Sequence, residues 1–170
     1  MLLFVGSAWA QTSTDGLTLL GSSKTYTDDR GSQLTLKSCH TKYQDPVVGF
    51  WFQDAGKQQV RFYADARTWD SLKQVLVKAR DDWETLTPTT FEQVGEVKGY
   101  RIANRLATLR VNIQGATKLQ SKELLLSGTG GADKTRHIVI HLNRDDLSNL
   151  VEEFTKIDSS FRSATVAPKP

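Results

Sequence analysis

A chain of 170 residues, 38% hydrophobic and 24% charged, is long enough to bury one ordinary core and too apolar to stay unfolded. Its net charge of +3 is too small to mark a polyanion partner by itself. Its single cysteine, Cys39, excludes an intramolecular disulfide and a cysteine-based zinc site.

Residues 1–10 read MLLFVGSAWA. Leu2–Val5 are apolar, and Ala8-Trp9-Ala10 before Gln11 has the small-x-small form of a signal-peptidase site. No Lys or Arg precedes the apolar run. The segment reads as the remnant of a secretory signal peptide, with a frayed apolar N-terminus or a first strand over Leu2–Val5 as the alternatives. Cleavage would start the mature protein near Gln11 and place it in the periplasm or outside the cell. No stretch approaches the ~20 apolar residues that span a bilayer as a helix, so no transmembrane anchor is expected.

Gly16–Leu20 is a short strand candidate, and Asp28-Asp29-Arg30-Gly31 a turn. Gln33–Lys37 alternates, with Leu34 and Leu36 on one face. Val47–Gln53 puts Val48, Phe50 and Phe52 on one face and Trp51 on the other. Asp54-Ala55-Gly56-Lys57 is a hairpin turn. Gln58–Ala64 follows, with Val60, Phe62 and Ala64 inward and Arg61 and Tyr63 outward. Asp65 is placed to cap a helix running to about Thr85, whose apolar stripe is Trp69, Leu72, Val75, Leu76, Ala79 and Trp83.

The plan then recurs. Phe91–Arg101 reads as a strand bent at Gly95 and Gly99. Leu106–Gln114, Glu123–Ser127 and Arg136–Leu142 read as three more, with Gly128–Lys134 as a hairpin loop. Asn143 caps a second helix expected to end near Phe161, ahead of a disordered tail over 162–170. Shifting Gln59–Trp83 by 78 positions lays it on His137–Phe161 without a gap. Val60 then meets Ile138, Asp65 meets Asn143, Trp69 meets Leu147 and Trp83 meets Phe161. The expected fold class is α+β: two ββββα pseudo-repeats, over 16–86 and 91–161, each an antiparallel sheet followed by an amphipathic helix, together forming one domain.

No catalytic set emerges. Gly128-Thr129-Gly130-Gly131-Ala132-Asp133-Lys134-Thr135 puts Asp133 where a phosphate loop needs its second glycine, and a strand rather than a helix follows. His137 and His141 would stand ~13 Å apart along a strand, too far to share a metal. Cys39 and His40 point to opposite faces. The carboxylates Asp28/Asp29, Asp81/Asp82, Asp145/Asp146 and Glu152/Glu153 are chain neighbours; the three helical pairs diverge by ~100°. No metal site, cofactor or enzymatic activity is expected, although an enzyme with an unrecognised site is a third reading.

The outward strand faces carry Lys37, Trp51, Arg61, Tyr63, Arg110, Asn112, His137 and His141. Aromatic and cationic side chains interleaved on a sheet suit a macromolecular partner. Trp51, Arg61, Tyr63, Arg110 and His141 are therefore the candidate binding residues. The doubled ββββα order resembles the layout of single-stranded nucleic-acid binders of the Whirly and PUR type, and this resemblance of topology implies nucleic-acid binding if the protein is not exported. The signal-like start points instead to a non-catalytic binding module that recognises a protein or an envelope component.

Overall fold

The computed structural model describes residues 16–43, 45–85, 91–102, 106–117, 121–130 and 136–166. The protein is α+β, with two antiparallel four-stranded sheets and two helices. The first sheet takes β1 (Thr18–Thr27), β2 (Gln33–His40), β3 (Pro46–Gln53) and β4 (Gln59–Ala64) in chain order, and α1 (Ala66–Asp81) follows. The second takes β5 (Phe91–Lys98), β6 (Thr108–Gln114), β7 (Glu123–Gly130) and β8 (Arg136–Leu142), followed by α2 (Arg144–Val166).

Local chemistry explains these boundaries. At the β1–β2 turn, Asp28 Oδ1 accepts from the amides of Arg30 and Ser32 at 3.0 and 2.8 Å. At the β3–β4 turn, Asp54 Oδ1 accepts from the Gln58 amide at 2.8 Å. Asp65 Oδ1 accepts from Thr68 N at 2.9 Å and starts α1. Asn143 Oδ1 accepts from Asp146 N at 2.9 Å while Asp146 Oδ2 accepts from Asn143 N at 3.3 Å, a reciprocal box that starts α2.

Several boundaries differ from the sequence reading, four of them with a clear cause or consequence. β1 runs on to Thr27 because a register shift between Leu20 and Lys24 absorbs the Gly-Ser-Ser stretch that reads as a strand end. β7 continues through Gly130, so residues 128–130 of the expected loop are strand; the remainder of that loop falls outside the described residues. α1 stops at Asp81, and a tighter turn, with Thr85 N donating to Asp82 O at 3.0 Å, swings Trp83 into the core. α2 passes Phe161 and reaches Val166, so residues 162–166 are helical rather than tail. Nothing between Phe161 and Val166 breaks a helix; the next breaker is Pro168. The signal-like segment over 1–10 lies outside the described residues.

A single core joins both sheets and both helices. Leu34, Leu36, Val48, Phe50, Phe52, Val60 and Phe62 supply it from the first sheet. Leu109, Val111, Ile113, Leu124, Leu126, Ile138 and Ile140 supply it from the second. The sheets meet closely where the Phe52 ring lies over Gly128: a Cβ there would stand 2.7 Å from Phe52 Cδ2. The helices meet where Trp69 of α1 stacks on Phe154 of α2, with centroids 4.0 Å apart and planes 10° from parallel. Beside that stack Lys73 Nζ pairs with Asp158 Oδ2 at 2.8 Å. The halves are clasped a second time at the edge of the second sheet. There the His141 amide of β8 donates to Asp28 Oδ2 at 3.1 Å.

Candidate binding face

Strand alternation sends residues 33, 35, 37 and 39 of β2 to the outer face of the first sheet, because Leu34 and Leu36 are buried in the core. Register carries that face across the neighbouring strands. Gln33, Gln53 and Gln59 form one row; Thr25, Thr35, Trp51 and Arg61 form the next; Lys37, Gly49 and Tyr63 form a third.

Trp51 is the centre of this face. Lys37 Nζ lies 3.7 Å from the centroid of its ring and Arg61 Cζ lies 4.2 Å from it. One cation comes from β2 and the other from β4, the strands on either side of β3. Gly49 makes room for the indole, since a Cβ there would stand 2.8 Å from Trp51 Nε1. That Nε1 is buried and has no hydrogen-bond partner. Arg61 is steadied from the side by Gln59 Oε1 at 3.3 Å.

Tyr63 projects to the outer face as expected but is not open to a partner. It is only 5% exposed, packed in a small second cluster with Leu17, Leu19, Cys39, Val47 and Ile102. The chain after β5 wraps the β4 edge, where Tyr100 N donates to Tyr63 O at 2.6 Å, and Ile102 helps to cover the ring. Cys39 is buried in the same cluster. Burial pushes its thiol up to about 11, with Lys37 and a backbone hydrogen bond from Gly49 opposing that rise. It is a protonated packing residue rather than an activated nucleophile.

Arg110 and His141 lie on the other sheet and are not brought to Trp51. Arg110 is exposed and its guanidinium Nε pairs with Glu96 on the adjacent β5. His141 was expected on an open strand face, yet its side chain is 13% exposed. Its Nδ1 lies 2.8 Å from Glu123 Oε2, and Arg30 from the β1–β2 turn reaches both the ring and that carboxylate. His141 thus belongs to the clasp between the halves. Asn112, expected outward beside Arg110, is 5% exposed.

Lys37 and the glutamine row carry the face but were not among the candidate binding residues. Their signal lay in register: Gln53 and Gln59 are partners across the hairpin turn, and Gln33 is the partner of Gln53 on its other side. Among the described residues, no group of three or more His, Cys, Asp or Glu is placed to hold a metal ion, and no helix is long and apolar enough to cross a membrane. The chain, compared with protein-family models and with curated proteins, matches none of them.

Proposed function

We propose that this protein is a non-catalytic binding module that works in the periplasm or outside the cell and engages an envelope component through the outer face of its first sheet. One observation carries the reading: Trp51 is held between Lys37 and Arg61 on a sheet whose four strands contain no Asp or Glu. A sheet face built this way attracts an anionic partner. The small-x-small site at Ala8-Trp9-Ala10 supports export. We also infer that the two ββββα runs are versions of one unit, on the strength of the gapless 78-position register between Gln59–Trp83 and His137–Phe161.

Two observations weigh against the other readings. Stacked nucleobases need a free aromatic face, and the ring of Trp51 already has Lys37 Nζ and Arg61 Cζ within 4.2 Å of its centroid. The thiol of Cys39 is buried and shifted upward rather than activated.

Co-sedimentation with the envelope fraction of the source cell tests the proposal. The wild-type chain is expected to sediment, Lys37→Gln to lose most of that sedimentation, and Arg110→Gln on the second sheet to retain it. Equal sedimentation of the two variants overturns the assignment of the face.

A further inference from the structure

The open end of the first sheet's outer face presents polar groups in adjacent rows. Gln33, Gln53 and Gln59 stand side by side on β2, β3 and β4. Gln59 Nε2 donates to Gln53 Oε1 at 2.9 Å. An amide so engaged still has a second N–H and a carbonyl oxygen, so the row both donates and accepts. In the next row the hydroxyls of Thr25 and Thr35 are 3.0 Å apart, beside Trp51 and Arg61. Successive rows on one face are ~7 Å apart and neighbouring strands ~4.8 Å apart. Amides, hydroxyls and the Lys37 ammonium therefore share a band a few sugar or peptide units across.

Charge decides the sign of the ligand. Strands β1–β4 contain Lys24, Lys37 and Arg61 and no carboxylate. Lys37 is held by the indole, and a π face orients an ammonium without cancelling its charge. Its N–H groups turned away from the ring remain able to donate to an anion.

The remaining side chains decide the class. The apolar members of this face, Leu19, Cys39, Val47 and Tyr63, pack among themselves with Leu17 and Ile102 at its far end. Its apolar side chains are thus gathered at the far end and its polar ones at this end. Paired donors and acceptors beside a fixed cation match a polymer of hydroxyls interrupted by carboxylates. We infer that this end of the face binds an acidic polysaccharide, with Lys37 on its carboxylates and the Gln33–Gln53–Gln59 row on its hydroxyls. The inference rests on the assignment of that face as the binding face and names its ligand.

Affinity electrophoresis in gels containing polygalacturonate, dextran, polyglutamate or oligothymidylate tests it, with thermal unfolding of each variant as the check on folding. The wild-type chain is expected to be retarded by polygalacturonate and not by dextran, and less so as salt rises. Lys37→Gln should weaken retardation by about tenfold, the loss of one charge-assisted hydrogen bond. Gln53→Ala with Gln59→Ala should weaken it severalfold. Polyglutamate retarding the chain equally, with no effect of the glutamine changes, overturns the polysaccharide assignment but keeps the face. Preference for oligothymidylate overturns it in favour of nucleic acid. Absence of retardation by all four overturns the ligand class. If envelope sedimentation is then still sensitive to Lys37→Gln, the binding face survives; if it is not, both readings fail together.

Discussion

On the outer face of the first sheet the Lys37 ammonium is held by an indole, whereas on the second sheet Arg110 is paired with the carboxylate of Glu96 and the His141 ring meets that of Glu123. The difference is one of chemistry rather than of architecture, since both are four-stranded antiparallel sheets in chain order. A carboxylate neighbour cancels a cation's charge locally. An aromatic face fixes the cation's position and leaves its charge to act on whatever approaches. On the second sheet Arg110 pairs with Glu96 of the neighbouring strand, while Glu123 and the His141 amide engage Arg30 and Asp28 of the β1–β2 turn. The first keeps Lys37 oriented on strands without acids. Sheets of the same architecture can therefore present different chemistry on their outer faces.

The inner faces are where the sheets are alike, and the largest expected effect is found there. Trp69→Ala removes a buried indole stacked on Phe154 and should cost about 3–5 kcal/mol. Chemical denaturation with probes in both halves should show one transition moved as a whole. Two separated transitions would show that the halves do not share the core.

Gly128→Ala probes the place where the sheets approach each other. The new Cβ would stand 2.7 Å from the ring of the buried Phe52, and overpacking of this kind should cost about 1–3 kcal/mol. An alanine tolerated without loss of stability would mean that the sheets separate more easily than their contact implies.

The smallest effect on stability belongs to the change that addresses the comparison most directly. Thr35→Glu places a carboxylate opposite Trp51 on the first sheet, copying the arrangement around Arg110. It should alter unfolding by no more than about 0.5 kcal/mol, as for an ordinary surface substitution, while removing most envelope sedimentation. Glu96→Gln, which releases Arg110 on the second sheet, should leave sedimentation unchanged. If both variants sediment like the wild-type chain, the contrast between the outer faces has no bearing on binding.

Much of the molecule was legible from local pattern. Alternation along Gln33–Lys37 and Val47–Gln53 places Leu34, Leu36, Phe50 and Phe52 inward and Trp51 outward, because successive strand side chains must oppose. The caps Asp65 and Asn143, and the turn residues Asp28 and Asp54, act within four residues of chain. Such short-range hydrogen bonds depend on residue type and spacing alone.

What alternation could not say was what covers a face. Tyr63 and Arg61 share an outward face and nearly identical local surroundings, yet Leu17 and Ile102 bury the first beside Cys39 and Val47. His141 reads as an open strand histidine until Arg30, 111 residues away, and Glu123 close around it. The stack of Trp69 on Phe154 and the seat of Phe52 over Gly128 likewise join residues far apart in the chain. The strands, the helices, their caps and the side of each sheet that faces the core follow from backbone geometry over a few residues. Which outward side chains are covered, and which basic groups meet a carboxylate, follows from the closed fold alone. Burial and ion pairing depend on distance in space, and the chain brings those partners together only once both sheets have closed on a common core.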